Sequence, residues 1–396
     1  MKFINILITG YGVCSFNGEN NDIFIKNMDS SIKSFEEVDF GDKKGRKTYA
    51  GRLDNAKLDS EFTTGIYRKY PRTSILALNA FKQALTTCDL KREDFGNAVV
   101  LIGSTLTTMT DIIDITYSDN PSMFDCARAN NNSIALSVSS YVGTTNITST
   151  LTNSCSTGVD AIFYAKLLME AGFADIAIVG GTDANICDRT IPLNAKMKFV
   201  GIGKTSDDVG SPFDFSSNGF TPSEGSSLLI LETEERFMKR NGNLCYGAIE
   251  NVYINNDAVN IFQSDPKGTQ LKSILVKSIG NRLPSYINSQ ALGLCENDTI
   301  ELQNYYELTN KEIPITSIKG VYGHSYAASA GCQIIASLVG MKEGFIPKTY
   351  RKGNYTYHDG ILFEKKHTNV DDFIITSHGY GGTNGVVRVG KYKCLY

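Results

Sequence analysis

At residues 152–158 the chain reads TNSCSTG, in which Cys155 is flanked by small residues on both sides. A run rich in threonine and serine precedes this stretch, and residues 159–171 follow with the periodicity of an amphipathic helix. A turn from a strand into a helix places Cys155 at a helix N-terminus, where free backbone N–H groups favour the thiolate. Because the thiolate is the nucleophilic form, we predict that Cys155 is a nucleophile; a buried inert cysteine is the alternative.

Two glycine-containing turns lie in the second half of the chain. Residues 319–325 read KGVYGHS, and residues 377–384 read SHGYGGTN. Glycines this dense indicate a backbone that approaches another group closely, or a loop that moves. A single histidine such as His324 is more often an ordinary core or surface residue, and an ordinary tight turn is the alternative for the second segment.

Strand-like and helix-like patterns alternate along the chain, which favours an α/β architecture. The apolar N-terminus is typical of an interior strand that enters a glycine turn at Gly10 and Gly12. We predict one compact body of two similar layered halves with no flexible join. Further strands are predicted at residues 98–103, 174–181, 226–232, 373–376 and 386–390, and helices at 159–171, 234–242, 327–343 and from Thr269 onward.

Composition narrows the classes of function. The chain has 396 residues, 41% hydrophobic and 20% charged, with a formal net charge of -3, so it is globular and carries no basic footprint for nucleic acid. Its nine cysteines form no C-x-x-C pair, which disfavours a zinc site or a disulfide framework. The apolar run before Gly10 is too short for a signal peptide or a membrane span, so we expect a cytoplasmic protein.

In this order, the three quoted segments resemble the motifs of the β-ketoacyl-acyl-carrier-protein synthases. Cys155 matches that family's nucleophile elbow, and residues 319–324 match its K-x-x-x-G-H motif. Residues 379–384 match its G-F-G-G-T-N loop, with Tyr380 in place of the phenylalanine. The resemblance covers nearly the whole chain, and the motifs in register are far more specific than any one alone. Further similar stretches are ITGYGV at 8–13, GGTD at 180–183, SPFD at 211–214, GF at 219–220 and EG at 224–225.

The resemblance implies a thiolase fold, in which two similar halves of α-β-α-β-α layers form one compact body. It implies an N-terminal half at residues 1–245 that carries the nucleophilic cysteine. The C-terminal half, residues 246–396, would carry Gln290, His324 and the glycine-rich loop. The resemblance also implies a dimer, either of identical chains or with another ketosynthase-like subunit.

The activity it implies is that of an acyltransferase of fatty-acid or polyketide biosynthesis. An acyl carrier protein delivers the acyl group on its phosphopantetheine arm, so no separate cofactor is expected. The group is held as a thioester on Cys155 and extended by decarboxylative Claisen condensation. The backbone N–H groups of Cys155 and Tyr380 would bind the oxyanion, and Lys319 would orient and tune the imidazole cluster. The oxyanion and gating loop would comprise His378, Gly379, Tyr380, Gly381 and Gly382.

One histidine of the family's usual pair is missing, because Gln290 stands at its position. The Gln290 amide can donate a hydrogen bond to an enolate, but it cannot exchange a proton near neutral pH. We therefore expect general acid–base chemistry to be lost at this position. The four histidines of the chain are His324, His358, His367 and His378, so none precedes position 324.

Two more departures concern the surroundings of the cysteine. Gln333 stands where many relatives carry a buried glutamate, and its presence removes a charge partner for Lys319. His378 replaces a phenylalanine beside the cysteine. It either replaces the missing imidazole in function or is simply tolerated in a loop, and the second interpretation is favoured.

Three functions remain open at this level. The first is an enzyme that condenses acyl units, or a variant that loads and passes chains on without elongating them. The second is a partner subunit resembling the chain-length factors of two-component polyketide systems. Those typically lack the cysteine, so Cys155, His324 and Lys319 count against it, whereas Gln290 and Gln333 in place of the histidine and the glutamate count for it. The third, thiolase-type exchange on coenzyme A, lacks the second reactive cysteine motif, since Cys394 lies past the last strand. We favour the enzyme.

Overall fold

The computed structural model describes residues 4–30, 33–39, 44–350 and 360–392, so Cys394 and His358 lie outside the described residues. The strands are β1 Ile6–Ser15, β2 Glu36–Val38, β3 Thr48–Ala50, β4 Val99–Gly103, β5 Thr148–Leu151, β6 Ile176–Asp183, β7 Gly225–Thr233, β8 Gly247–Asn256, β9 Ile287–Asn288, β10 Ile315–Thr316, β11 Phe345–Ile346, β12 Lys366–His367, β13 Asp372–Gly379 and β14 Thr383–Gly390. The helices are α1 Asn21–Asn27, α2 Ser60–Thr63, α3 Arg72–Thr87, α4 Met109–Thr116, α5 Asp125–Arg128, α6 Ser133–Val142, α7 Thr157–Glu170, α8 Thr190–Lys196, α9 Glu234–Lys239, α10 Thr269–Ile279, α11 Cys295–Thr309, α12 Lys319–Tyr322 and α13 Ser329–Glu343.

Ten strands form one sheet in the order β10-β9-β13-β14-β8-β1-β7-β6-β4-β5. Outward from the central strands β1 and β8, both sides of the sheet show the same succession of antiparallel and parallel pairs. On one side, β1–β7 and β7–β6 are antiparallel, and β6–β4 and β4–β5 are parallel. On the other side, β8–β14 and β14–β13 are antiparallel, and β13–β9 and β9–β10 are parallel. β1 and β8 join the two sides antiparallel at Leu7–Ala248 and Ile8–Gly247. The predicted architecture of two similar α/β halves is therefore confirmed.

Helices α7 and α13 form the middle layer of the body. Their apolar residues share one core with β1, β6, β7, β13 and β14. Helices α3 and α6 cover the outer face of the first half, and α10 and α11 cover the outer face of the second. Since each sheet face buries an apolar surface against helices, the order of layers is α-β-α-β-α. Among the described residues, no helix has both the length and the hydropathy to cross a membrane.

A close approach at the start of α7 sets the spacing between the two halves. A Cβ atom on Gly158 would lie 2.4 Å from the carbonyl oxygen of Ala327, and one on Gly181 would lie 2.1 Å from the same atom. Only glycine permits this contact. The segment that follows His324 can therefore pack directly against the helix that follows Cys155.

The glycine turn expected at Gly10 and Gly12 is wrong, because β1 continues through both residues to Ser15. These glycines serve close packing instead: a Cβ on Gly12 would lie 2.0 Å from the carbonyl oxygen of Ala80 in α3. The strand predicted at 386–390 begins earlier, at Thr383, which shortens the glycine-rich loop to residues 380–382. The helix predicted from Thr269 is confirmed as α10.

Candidate active site

Cys155 lies two residues before the first residue of α7, between Ser154 and the helix N-cap Ser156. Ser154 has φ +59, a left-handed conformation that turns the chain sharply from β5 toward the helix. The thiol is partly exposed and lines a cavity of about 740 Å³. The same cavity wall contains Gln290, His324, His378, Gly379 and Tyr380. The structure thus brings six of the predicted site residues together.

The resting form of Cys155 differs from the expected thiolate. Burial raises the pKa of this thiol to about 11, and the carboxylate of Asp183 adds to the shift. The Ser154 hydroxyl, which donates to the sulfur at 3.9 Å, opposes the shift without cancelling it, and the nearby Thr105 hydroxyl and Tyr380 N–H act in the same direction. Cys155 directly precedes the N-cap of α7, where the helix N-terminus favours the thiolate, but burial and Asp183 keep the pKa of the thiol high.

His324 is a buried, neutral imidazole. Its ring packs against Phe220 and Tyr326, with centroids 5.0 Å away in both cases. Burial lowers its pKa well below the usual value, and the charge of Lys319 lowers it further. Its Nδ1 lies 3.2 Å from the hydroxyl oxygen of Ser329. A neutral ring in this cavity can accept a proton or donate a hydrogen bond.

Lys319 lies behind the cavity wall, and its hydrogen-bond partner there is the neutral amide of Gln333. The ammonium donates to the Gln333 Oε1 at 3.0 Å. The Gln333 Nε2 donates to the carbonyl oxygens of Asn288 and Thr376 at 2.8 and 3.2 Å, which fixes the amide with its oxygen toward the lysine. Burial lowers the pKa of Lys319 to about 8, although the charge of Glu301 opposes the shift.

Gln290 presents an amide to the cavity. The side-chain Nε2 of Gln290 donates to the backbone oxygen of His378 at 3.2 Å. The backbone N–H of Gln290 donates to Thr376 Oγ1 at 3.0 Å. Its Oε1 is buried and has no hydrogen-bond partner in the described part of the chain. A carbonyl can pair only with the NH₂ side of the amide, so the contact with His378 fixes which atom faces where.

His378 is the penultimate residue of β13 and forms part of the cavity wall. Its Nδ1 lies 3.0 Å from Asn384 Oδ1, and its Nε2 lies 3.5 Å from Glu301 Oε1. Burial alone would lower the pKa of His378, but Glu301, Asn384 and Asp257 outweigh burial and raise it. This histidine is far more constrained than a residue tolerated in a loop.

The glycine-rich loop follows directly. Gly381 and Gly382 both have φ +82, which only glycine adopts readily, and neither lines the cavity. Tyr380 is 39% exposed, with its ring 5.1 Å from that of Phe199. Its backbone N–H, an expected oxyanion donor, donates to the Ser154 hydroxyl oxygen at 2.7 Å.

Sequence reasoning missed four residues that shape this cavity. Ser154 lies inside the quoted motif, yet nothing local reveals its contact with a residue more than two hundred positions away. Asp257 and Asn384 bond to each other and hold His378, and Asp257 lies in a segment without a readable pattern. Glu301 follows Asp298 at the spacing of a family motif, a signal that could have identified it.

Known proteins agree with this geometry. The chain is 24% identical to the chloroplastic 3-oxoacyl-[acyl-carrier-protein] synthase I of Hordeum vulgare, over 98% of this chain and 89% of that protein. It is 25% identical to the tetracenomycin polyketide synthase ketoacyl synthase alpha subunit of Streptomyces glaucescens, over 60% of this chain and 59% of that protein. It is 28% identical to 3-oxoacyl-[acyl-carrier-protein] synthase 2 of Mycobacterium tuberculosis, over 61% of this chain and 60% of that protein.

Solved structures share the fold. One is a type II polyketide ketosynthase in complex with its acyl carrier protein, AntDE:AntF, with a TM-score of 0.84 at 20% identity over 98% of this chain and 100% of that chain. Another is the ishigamide ketosynthase/chain length factor, with a TM-score of 0.83 at 19% identity over 98% and 100%. The predicted thiolase fold is confirmed by these likenesses.

Family comparison accounts for most of the chain. Residues 4–236 match the Beta-ketoacyl synthase, N-terminal domain, and residues 246–351 match the Beta-ketoacyl synthase, C-terminal domain. Together with the motifs around Cys155 and His324, these matches show that the chain belongs to the β-ketoacyl synthase family.

Proposed function

We propose that this chain is a condensing acyltransferase of the 3-oxoacyl-acyl-carrier-protein synthase type, active in fatty-acid or polyketide biosynthesis. The observation that carries the proposal is the convergence of Cys155, His324 and Gln290 on the wall of one cavity. The relatives that share this sequence over nearly its full length are 3-oxoacyl synthases, which supports the same reaction class. We further propose that the chain divides at residues 245/246 and acts in the cytoplasm.

In the first half-reaction, the Cys155 sulfur attacks the carbonyl carbon of a carrier-bound thioester. A C–S bond to Cys155 forms, the bond to the carrier sulfur breaks, and the proton of the thiol leaves with the carrier. Because the resting thiol is protonated, its proton must be taken up during the attack, and we propose the neutral imidazole of His324 in the same cavity as the acceptor, although burial and Lys319 make it a weaker base than an ordinary histidine. The backbone N–H groups of Cys155 and Tyr380 are the proposed oxyanion donors.

In the second half-reaction, a malonyl-type thioester loses CO₂, and the electron pair of the broken C–C bond forms an enolate. The enolate carbon attacks the acyl carbon, the C–S bond to Cys155 breaks, and the released thiolate takes a proton from solvent to regenerate the thiol. Lys319 contacts neither the enolate nor the acyl group. It is buried beside the cavity, and its positive charge adds to the effect of burial in keeping His324 neutral. Gln290 contributes an amide but no titrating proton.

We infer that both thioesters arrive on the phosphopantetheine arm of an acyl carrier protein. One structural relative is titled as a ketosynthase complex with its acyl carrier protein. The cavity wall combines apolar side chains such as Phe199, Phe220 and Leu292 with many polar ones, so it offers surface both to an acyl chain and to a polar arm. We propose a dimer, either of identical chains or with a second ketosynthase-like subunit.

A second candidate function is a chain-length-factor-like partner subunit. Two observations favour it: Gln290 replaces an imidazole, and Gln333 replaces the charged partner of Lys319. The intact cavity with Cys155 and His324 in its wall favours the enzyme instead.

Intact mass spectrometry separates these functions. Purified protein incubated with acylated carrier protein should gain one acyl mass, and Cys155→Ala should abolish the gain. Cys295→Ala is the matched control, since Cys295 is a partly exposed thiol at the first residue of α11 and is not part of the cavity wall. No adduct, together with tight binding to a complete synthase, would support the partner subunit.

A further inference from the structure

The imidazole of His378 has one nitrogen without a hydrogen-bond partner among the described residues. This Nε2 is buried, its charged neighbour is Glu301 Oε1 at 3.5 Å, and the His378 side chain forms part of the cavity wall. A buried polar nitrogen without a hydrogen-bond partner is unfavourable, so such an atom in a cavity wall points to a partner that arrives with a ligand.

The other nitrogen, Nδ1, must carry a proton. The Nδ2 group of Asn384 donates to Asp257 Oδ1 at 2.7 Å and to the Gly382 oxygen at 3.3 Å. Both partners are acceptors, so the amide cannot be turned around. Its Oδ1 therefore faces the His378 Nδ1 at 3.0 Å, and only an N–H can occupy that contact.

The charge next to Nε2 favours a proton there as well. Glu301 Oε2 accepts hydrogen bonds from the hydroxyls of Ser289 and Tyr305 at 2.5 and 2.6 Å. Its Oε1 lies 3.5 Å from the His378 Nε2, near enough for charge attraction but too far for a good hydrogen bond. A bare lone pair on Nε2 would face this carboxylate unfavourably, so the ring is an imidazolium.

His378 is also in direct contact with the residue that replaces the family histidine. The Gln290 Nε2 donates to the His378 backbone oxygen at 3.2 Å, and both residues line the cavity with Cys155. We propose that His378, held by Asn384 and Glu301, donates its Nε2–H to the oxygen of the extender thioester and thereby replaces the imidazole missing at position 290. This inference rests on the proposed condensing function.

The step it assists is the loss of CO₂ from the malonyl-type thioester. The C–C bond to the carboxylate breaks, its electron pair moves into the enolate, and negative charge develops on the thioester oxygen. The Nε2–H keeps its proton and stabilises that charge, after which the enolate attacks the acyl carbon held on Cys155. A positioned cationic donor in a cavity of low polarity is the kind of group that stabilises such charge most.

The step should depend on the charge of the ring. Glu301 from α11 faces Nε2, Asp257 at the end of β8 acts through Asn384, and Cys155 and His324 lie elsewhere on the cavity wall. Burial lowers the pKa of His378, but Glu301, Asn384 and Asp257 outweigh burial and raise it, which favours the imidazolium. Decarboxylation should then decline as the pH rises through this raised pKa, because the donor loses its charge.

Release of CO₂ from malonyl-carrier protein, measured without any acyl primer, tests the proposal. His378→Phe should slow the release by about tenfold or more while leaving the acyl loading of Cys155 within about twofold. The double variant Gln290→His with His378→Phe should regain most of the lost rate. His367→Phe is the matched control, because His367 is an exposed histidine in β12, and its rate should equal that of the wild type.

Three results would overturn the proposal: an unchanged rate in His378→Phe, a wild type that is acylated yet releases no CO₂, or a wild-type rate that rises with pH through the neutral range. If His378→Phe does not fold, NMR of the wild type tests the proposal through the chemical shifts of the His378 ring. These signals should titrate above pH 6.5 and should shift when malonyl-carrier protein binds. A lower titration midpoint, or signals that do not shift on binding, would refute the proposal. Failure of the proposed function is a separate result, namely the absence of an acyl adduct on Cys155.

Discussion

The hydroxyl oxygen of Ser154 accepts a hydrogen bond from the backbone N–H of Tyr380 at 2.7 Å. This N–H is one of the two proposed oxyanion donors, so in the resting protein it is already engaged. The contact is tight, because a Cβ on Gly379 would lie 2.8 Å from the Ser154 Cβ. The serine therefore ties the glycine-rich loop to the nucleophile and competes with a thioester for the same donor.

Ser154→Ala should accelerate the acylation of Cys155 by acyl-carrier protein. Removal of the hydroxyl frees the Tyr380 N–H, and one oxyanion donor is worth about 10²–10³ in rate in other acyl-transfer enzymes. We expect a gain of about tenfold, since only the competition is removed. Single-turnover mass spectrometry measures it.

Alkylation by iodoacetamide controls for this experiment, because that reaction forms no oxyanion. Ser154→Ala should not accelerate it, since the serine hydroxyl also helps to lower the pKa of Cys155. Ser156→Ala is the matched variant: its hydroxyl bonds to Thr383 Oγ1 at 2.8 Å, at the other end of the loop. Slower acylation in Ser154→Ala alone would mean that the tie organises the oxyanion site instead of blocking it.

The free thiol of Cys155 should react faster with iodoacetamide as the pH rises, well beyond the usual range. Its pKa is raised to about 11, so the thiolate fraction grows about tenfold per pH unit up to that value. A cysteine with an ordinary pKa of about 8.5 would instead level off near that pH. Peptide mass spectrometry after timed labelling gives the alkylation rate of Cys155. A rate that levels off below about pH 8 would show instead that Cys155 is an activated thiolate.

The surroundings of Cys155 show best which features can be predicted from the sequence. Its position before a helix, and the convergence of His324 and Gln290 on it, could be predicted because short motifs fix them. The protonated thiol could not be predicted, since it depends on burial and on Asp183, which approaches from another strand. Helix and strand patterns likewise identified α10 and the two similar halves.

Long-range contacts explain most of what was missed. Gly12 was expected to form a turn but lies inside β1, because the identity of a glycine does not reveal whether space or φ demands it. The interpretation of His378 as a tolerated loop residue took no account of Glu301, which approaches it from α11, while Asn384 faces it across the β13–β14 hairpin. Such pairs follow from topology and have no local pattern.

Lys319→Met should stabilise the fold near neutral pH while it impairs catalysis. Burial lowers the pKa of Lys319 to about 8, so below that pH the folded state bears the cost of a buried charge that its neutral hydrogen-bond partner Gln333 and the nearby Glu301 only partly offset. We expect a gain of about 1–2 kcal/mol in unfolding free energy at about pH 7. Between about pH 8 and the pKa near 10.5 that Lys319 has in the unfolded chain, Lys319 is protonated in the unfolded state and neutral in the folded state. The stability of the wild type therefore rises with pH in this range, and the stability gain of Lys319→Met shrinks.

Urea unfolding at two pH values measures this difference. Lys277→Met is the control, since Lys277 is exposed on α10 and its loss should change stability by less than about 0.5 kcal/mol at either pH. A Lys319→Met protein that is less stable than the wild type at both pH values would show that the ammonium contributes net stability.

Gly158→Ala should cost both stability and acylation rate. The new Cβ would lie 2.4 Å from the Ala327 carbonyl oxygen, so α7 and the segment after His324 must separate. Overpacking of this kind costs about 1–3 kcal/mol, which outweighs the better helix propensity of alanine of about 1 kcal/mol. A displacement near 1 Å of the imidazole from Cys155 would slow acyl transfer by about 10²-fold. In the control Gly96→Ala, the added Cβ would lie 3.8 Å from its nearest atom, an ordinary van der Waals distance. The stability and the acylation rate of this variant should therefore equal those of the wild type. Equal behaviour of the two variants would mean that the approach of the two halves does not set the distance between nucleophile and base.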